Sequence, residues 1–209
     1  MLILGLTGGI ATGKSTVSRT LREAGAKVWD ADAASRKVVE PGQPGNEALR
    51  NAFGDSFFCD DGSLDRKALA KAVFADPQKV LTLNQVLHPY ILQDMCLALA
   101  SFRKEGTVIA VVDAPLLFES GADEVCDQIW MTSCGVDEQI RRLRLRDGMD
   151  EEEALARIDA QMTESERRRR VTRVIDTTDS MEEVARYVQT LYEELEEEES
   201  QRMGKNTHV

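Results

Sequence analysis

The chain of 209 residues is 42% hydrophobic and 30% charged, which is typical of a globular protein with one substantial core. Its formal net charge of -11 disfavours a general nucleic-acid binder, because such proteins neutralise phosphates with lysine and arginine. The four cysteines are widely separated and lack the spacing of zinc ligands. The absence of a long apolar run predicts a cytoplasmic protein that does not contact a membrane.

The first predicted elements are a strand over residues 2–6, a glycine-rich loop and a helix over residues 15–24. Residues 8–15 read GGIATGKS and fit the pattern GxxxxGK[ST] in the strand–loop–helix context that the pattern requires. We predict that Lys14 reaches the β and γ phosphates of ATP and that the Ser15 hydroxyl binds magnesium. The alternative is a glycine-rich turn with a solvated lysine, which the ordered context disfavours.

Four further strands are predicted, over residues 26–29, 108–112, 128–132 and 174–176. Continuous apolar strands that alternate with helices indicate an α/β fold, with a five-stranded parallel sheet covered on both faces. Ligands of such sheets bind at the carboxyl ends of the strands.

The crossover between the second and third strands is much longer than one helix, and residues 35–105 are predicted to be mostly helical. We therefore predict an inserted helical domain that holds a second substrate. The predicted organisation is a nucleotide-binding core (1–34, 106–140 and 174–199), the helical domain (35–105), a lid (141–173) and a flexible tail (200–209).

Asp30 and Asp32 follow the second strand, at the edge where the phosphate loop is expected. A carboxylate there can orient an acceptor hydroxyl or accept its proton as it attacks the γ phosphate. The alternative for Asp32 is a cap on the following helix. Asp113, after the third strand, is equally compatible with a magnesium-associated carboxylate and with a structural turn residue.

Ten arginines lie within residues 141–173. Arg142 and Arg146 share one helix face and are predicted to close over the triphosphate. The four consecutive arginines at 167–170 point in several directions on a helix, so most are expected to be solvated or paired with glutamates.

Helix starts are predicted at Asp137, Asp150, Thr163 and Ser180, the last three with a glutamate three residues later. His88-Pro89 is predicted to lie at a helix boundary, where His88 is more often a packed residue than a catalytic one. The glutamate-rich run at 193–199 is interpreted as a solvated helix end rather than a partner surface.

In order and spacing, these elements resemble the dephospho-coenzyme A kinase family over about residues 2–191. The resemblance rests on the sequences LTGGI (6–10), GKST (13–16), DAD (30–32) with Arg36, VVEPG (38–42), LHP (87–89), PLLFE (115–119), Arg142, Arg146-Asp147, Arg157, Gln161 and VID (174–176). It implies a P-loop kinase three-layer sandwich that phosphorylates the ribose 3′-hydroxyl of dephospho-coenzyme A with ATP and Mg²⁺.

The resemblance also implies residue roles, with Lys14, Asp32 and Arg142 as the catalytic residues. The implied ATP site comprises Gly8, Gly9, Ile10, Ala11, Thr12, Gly13, Lys14, Ser15, Thr16, Arg142 and Arg146. The implied dephospho-coenzyme A site comprises Asp30, Asp32, Arg36, His88, Pro115, Leu116 and Leu117. Three departures stand out: Ala11 replaces a frequent glycine, and Thr172 and Thr177 replace an aspartate and an asparagine that are expected near adenine.

Other functions compatible with the loop are a kinase for another small hydroxyl substrate, such as a nucleoside or sugar, and a nucleotide-dependent regulatory protein. A guanine-specific GTPase is disfavoured, because no lysine follows an asparagine or threonine. We expect a monomer or a weak homo-oligomer.

Overall fold

The computed structural model describes residues 1–74 and 76–206, and its five strands form one parallel sheet. The strands are β1 (Leu2–Gly8), β2 (Lys27–Asp30), β3 (Ile109–Asp113), β4 (Gln128–Ser133) and β5 (Arg173–Asp176). They lie in the order β2-β3-β1-β4-β5, with β1 between β3 and β4. The predicted α/β fold with a five-stranded parallel sheet is therefore confirmed.

The helices account for most of the remaining chain. They are α1 (Lys14–Glu23), α2 (Ala31–Lys37), α3 (Pro44–Phe53), α4 (Arg66–Phe74), α5 (Pro77–Lys104), α6 (Val136–Asp147), α7 (Glu151–Asp159), α8 (Glu164–Arg168) and α9 (Met181–Asn206). Short 3₁₀ turns occur at Asp55–Phe57 and Ala122–Val125. Over the described residues, none of these helices is both long and apolar enough to cross a bilayer.

The chain divides into two compact units. The first unit, Met1–Trp29 with Phe102–Val209, contains the sheet, and all seven residues of β1 are buried, so that both faces of this strand are covered. Its main apolar cluster joins residues of the central strands with residues of α1 and α9. The cluster includes Leu4, Leu6, Val17, Leu21, Val111, Trp130, Ile175, Val188 and Leu191.

The second unit, Asp30–Ser101, has its own apolar core. This core is built from α3, α4, α5 and the segments between α2 and α4, and its buried members are Val38, Val39, Leu49, Leu69 and Val73. The predicted boundaries at 34/35 and 105/106 and the separate lid stay predictions. The boundary predicted between residues 140 and 141 falls inside α6, and residues 141–173 belong to the first unit.

Three of the four predicted helix starts have the expected capping chemistry. Asp150 and Thr163 each form a capping box with the glutamate three residues later, and Ser180 exchanges hydrogen bonds with Glu183 in the same way. The prediction for Asp137 is wrong, because Gly135 caps α6 and Asp137 lies in its first turn. There its carboxylate still suits the positive end of the helix dipole.

Pro89 does not mark a helix boundary, as the sequence suggested, but lies inside the 28-residue helix α5. Proline removes one main-chain hydrogen bond and crowds the preceding turn. Residues on both sides of it, Leu87, Tyr90 and Ile91, pack against the core of the second unit. Tertiary packing therefore outweighs the local preference to end the helix.

The predicted tail is also corrected, because α9 continues through Asn206. Glu199, at the end of the glutamate run, is 9% exposed, and its carboxylate lies 3.6 Å from the amino group of Met1 and 3.7 Å from Arg202. The Met1 amino group and Arg202 thus stabilise the end of α9, where the sequence suggested a frayed tail. Residues 207–209 of the predicted tail lie outside the described residues.

Candidate functional site

The phosphate loop connects β1 to α1 and is shaped by close contacts that exclude larger residues. A Cβ atom at Gly8 would stand 2.1 Å from Thr132 Oγ1, so β4 leaves no room for a side chain. Gly13 has a φ of 80°, and a Cβ atom there would meet Thr177 at 3.2 Å. The sequence pattern of two glycines and Lys14 thus coincides with a tightly turned loop.

The loop presents main-chain donors that suit an anion. Within the described part of the chain, the N–H groups of Ala11, Gly13, Lys14 and Ser15 donate to no protein acceptor. Lys14 and Ser15 begin α1, where such groups are unpaired and the helix dipole is positive. This arrangement binds phosphate groups in other proteins.

Ala11 has a φ of 60° and is the one non-glycine residue with positive φ among the described residues. This conformation costs an alanine about 1–2 kcal/mol relative to the right-handed region. The Ala11 carbonyl accepts a hydrogen bond from Arg142 Nη1 at 3.2 Å. The replacement of a frequent glycine by Ala11 therefore leaves the left-handed geometry in place and adds local strain.

The Lys14 ammonium group pairs with Asp113 at the carboxyl end of β3. Asp113 is 4% exposed, so this ion pair is shielded from water. The sequence left Asp113 open between a metal-associated carboxylate and a turn residue, and the structure gives it a direct contact with the lysine of the loop.

Arg142 connects α6 to the phosphate loop. Its guanidinium donates to Glu138 at 2.7 Å, to the Ala11 carbonyl and to the main-chain carbonyl of Thr177. Hydrogen bonds from Arg141 and Arg142 lower the pKa of Glu138 to about 2, so this carboxylate is ionised at neutral pH. Arg146, one turn along, is exposed and pairs with Asp147 at 2.7 Å.

Thr177 supports the loop, a role that its sequence context does not indicate. Its buried hydroxyl lies 2.7 Å from the Thr12 carbonyl and 3.2 Å from the Ser133 carbonyl, and it also accepts from Arg142. The hydroxyl therefore ties the loop to the end of β4. Thr172 bonds instead to the main chain of Ile129 near the amino end of β4, away from the edge that carries the loop.

A cavity of about 810 Å³ opens beside the loop within the first unit. Its lining includes Ala11, Gly13, Ser15, Thr16, Arg142, Arg146, Thr177 and Met181. Predicted ATP-site residues from the loop and from α6 thus share one cavity. Its mixture of main-chain donors, guanidinium groups and apolar side chains suits the phosphates and the base of a nucleotide.

Magnesium fits this site through few protein ligands. Ser15 is exposed on the cavity wall, and a hydroxyl there can bind a magnesium ion that phosphate oxygens and water also coordinate. Over residues 1–74 and 76–206, no group of three or more His, Cys, Asp or Glu residues is placed to hold a metal ion.

The predicted acceptor residues of the second unit lie on α2 and α5. Asp30 caps α2 by accepting the N–H of Ala33 at 2.9 Å, whereas Asp32 lies exposed in its first turn. From the sequence, Asp32 was either a catalytic residue or the cap of the following helix. In the structure, Asp30 is the residue that caps this helix. Arg36 is exposed and His88 half-buried, and neither side chain has a partner within the described residues.

The predicted acceptor segment in the first unit, residues 115–117, follows β3. The Pro115 carbonyl accepts from Thr7 Oγ1 at 3.2 Å, and Leu116 is 53% exposed. Leu117 is fully buried, and its Cδ2 atom would lie 2.9 Å from a Cβ atom on Gly5. The Leu117 side chain therefore packs in the core, and the predicted place of this residue beside the coenzyme substrate stays a prediction.

The arginine run at 167–170 is more varied than expected. Arg168 pairs with Glu164 at 2.7 Å and Arg170 with Asp123 at 2.8 Å, both at exposed positions as the sequence suggested. Arg167, in contrast, is 4% exposed. The hypothesis concerned most of the four side chains, and Arg167 is the exception to it, because its position on α8 turns it inward.

Comparison with known proteins gives concordant matches over most of the chain. A family model described as Dephospho-CoA kinase matches residues 2–183. A curated dephospho-CoA kinase from Syntrophotalea carbinolica is 42% identical over 195 residues, which are 93% of this chain and 92% of the relative. One from Symbiobacterium thermophilum is 43% identical over 192 residues, covering 92% and 80%. The crystal structure of TT1252 from Thermus thermophilus is 35% identical, with a TM-score of 0.78 and coverage of 93% and 97%.

Proposed function

The chain belongs to the dephospho-CoA kinase family, and we propose that it transfers the γ-phosphoryl group of ATP to the ribose 3′-hydroxyl of dephospho-CoA. The products are coenzyme A and ADP, and this is the final step of coenzyme A biosynthesis. The observation that carries the proposal is the phosphate loop. Its unpaired main-chain N–H groups and the Lys14 ammonium group can bind the negatively charged oxygens of a triphosphate.

On the donor side, we propose that Lys14 moves from Asp113 to the β and γ phosphates when ATP binds. The Ser15 hydroxyl would hold magnesium, which supplies charge neutralisation to the β and γ oxygens. Arg142 supports the Ala11 carbonyl through one Nη atom and lines the nucleotide cavity, so a small side-chain movement brings its charge to the phosphates.

On the acceptor side, we propose Asp32 as the group that orients the 3′-hydroxyl and accepts its proton. The hydroxyl oxygen forms a bond to the γ phosphorus while the bond to the β–γ bridging oxygen breaks, and ADP leaves. The support is that Asp30, not Asp32, caps α2. Asp30, Arg36, His88, Pro115 and Leu116 are proposed to border the coenzyme substrate.

A coupled assay for ADP tests this function. We expect purified protein with ATP and Mg²⁺ to release ADP at least about 100-fold faster when dephospho-CoA is added, since transfer needs the positioned acceptor. A nucleoside and a sugar serve as control acceptors, and mass spectrometry identifies the product. Equal rates with and without dephospho-CoA would contradict the proposal, and stimulation by a control acceptor would favour another small-molecule kinase.

The cytoplasmic location and the oligomeric state stay predictions.

A further inference from the structure

Arg167 is a buried guanidinium without a matching anion at bonding distance. It is 4% exposed, and its Nε and Nη2 atoms have no hydrogen-bond partner within the described residues. Burial lowers the pKa of Arg167, which means that the surroundings disfavour its charge, although Glu119 and Glu164 act in the opposite direction. Buried charged groups are normally paired, so an orphaned guanidinium requires an explanation.

The guanidinium lies next to the amino-terminal half of the phosphate loop. Its Nη1 atom is 3.2 Å from the point where a Cβ atom on Gly9 would stand. At the same place, Gln161 Oε1 accepts the N–H of Ile10 at 2.8 Å and Gln139 Nε2 donates to the Ile10 carbonyl at 2.7 Å. Two glutamines thus fix the loop residues beside which Arg167 lies.

The surrounding carboxylates do not neutralise Arg167 by direct contact. Glu164 Oε1 already accepts from Arg168 at 2.7 Å and from the Ser133 hydroxyl at 2.9 Å. A cavity of about 210 Å³ adjoins the guanidinium, and its lining includes Gly9, Thr12, Gln161 and Arg167. A cation, a cavity and the phosphate loop therefore meet at one place.

The position along the loop indicates which phosphate is closest. In loops of this pattern, the main-chain N–H groups of the glycine-rich loop cradle the α and β phosphates, and the lysine reaches the β and γ phosphates. Gly9 lies at the opposite end of the loop from α1. A triphosphate that is held by the start of α1 would direct its terminal group towards Gly9 and hence towards Arg167.

We propose that Arg167 binds the γ-phosphoryl group of ATP through its Nε and Nη atoms. The group departs with the acceptor after transfer, so the contact favours ATP over ADP, and the planar guanidinium suits two parallel hydrogen bonds to phosphate oxygens. The inference rests on the proposed function only in that the loop binds ATP, and it does not depend on the identity of the acceptor.

The test measures ATP and ADP affinities separately by calorimetry, with magnesium and without any acceptor. The variants are Arg167→Gln and Arg167→Lys, and Arg169→Gln is the matched control at an exposed position two residues along. We expect Arg167→Gln to weaken ATP binding by about 10- to 100-fold and to leave the ADP affinity within about threefold, because only ATP carries the contacted group. Arg169→Gln should match the wild type for both nucleotides.

A structural role would give a different pattern. If Arg167 merely held α8 against the loop, both variants would weaken ATP and ADP equally or lower the melting temperature without changing the ratio of the two affinities. Either result, or an unchanged ATP affinity, would overturn the proposal. If Arg167→Gln does not fold, the ratio of the ATP and ADP affinities of Arg167→Lys tests the proposal. Lysine keeps the positive charge but lacks the planar guanidinium group.

The outcome is separable from that of the proposed function. A wild-type protein that releases no ADP with dephospho-CoA refutes the acceptor, while a loss of ATP preference in the Arg167 variants still supports the γ-phosphoryl contact. The reverse combination refutes the contact and leaves the kinase reaction standing.

Discussion

The phosphate loop and the second unit, Asp30–Ser101, which we call the helical unit, differ in how their predicted site residues are held. In the loop, Lys14 pairs with Asp113, and the Thr12 carbonyl bonds to Thr177. In the helical unit, the side chains of Asp32 and Arg36 are exposed and have no partner within residues 1–74 and 76–206. We infer that the main chain of the loop is held in place before the nucleotide binds and that Lys14 then exchanges Asp113 for phosphate, whereas the acceptor-side residues gain their partners from the substrate.

The largest effect should follow from Lys14→Ala, which removes a residue of the preorganised region. We expect kcat/KM for ATP to fall by about 10³- to 10⁴-fold, because a positioned charge on the transferred phosphate is lost. Asp113 also loses its cation, so thermal unfolding should show a less stable protein, unlike that of the exposed control Lys27→Ala. If stability and activity both match the wild type, the interpretation of a preorganised donor site is wrong.

Asp32→Asn should lower the rate of phosphoryl transfer without changing stability or ATP binding. We expect kcat to fall by about 10²- to 10⁴-fold, which is the range for loss of a positioned general base. The melting temperature and the ATP dissociation constant should stay at the wild-type values, because no protein group within the described residues contacts the Asp32 side chain. Asp60→Asn makes the same charge change in the same unit and serves as the control. A turnover near that of the wild type would remove Asp32 from the mechanism.

The smallest effect is expected for Thr177→Val, which keeps the shape of the side chain and removes its hydroxyl. The Thr12 carbonyl would lose its buried hydroxyl donor, whereas the Ser133 carbonyl keeps the Thr177 N–H, and we expect the free energy of unfolding to drop by about 1–3 kcal/mol. ATP affinity should fall by about tenfold as the loop loosens. Urea denaturation and calorimetry measure both quantities, with the exposed Thr190→Val as control. Equal results for the two variants would show that the loop does not need this support.

Much of the donor region was predictable because its signals are local. The phosphate loop follows from an ordered pattern of glycines, lysine and serine. Short apolar runs located four strands, and the place of residues 174–176 before the last helix located the fifth. The capping boxes at Asp150 and Thr163 were equally accessible, since each is complete within four residues.

Local rules failed where packing or long-range contacts decide. Pro89 reads as a helix boundary, yet its neighbours pack into the core and the helix continues. The stretch after Glu199 reads as a frayed tail, but an ion pair with the amino group of Met1 is invisible to any local pattern. Both errors came from treating a short segment without its tertiary partners.

Arg167 and Thr177 were missed for a related reason. Four consecutive arginines carry no signal that separates the one buried member from its exposed neighbours. Thr177 was interpreted through an expected contact with adenine, whereas its hydroxyl bonds to main-chain groups of the loop and of β4. Contacts between residues more than a hundred positions apart in the chain assign both roles.

The helical unit is one uninterrupted stretch of chain, Asp30–Ser101, with a core made only of its own residues. A single recombination event in the gene could therefore exchange the whole unit and leave the phosphate loop, Arg142 and Thr177 unaltered. In evolutionary terms, the helical acceptor-side residues that we propose, Asp30, Arg36 and His88, are encoded in one segment that is separable from the phosphate loop, whereas Pro115 and Leu116 would stay with the loop.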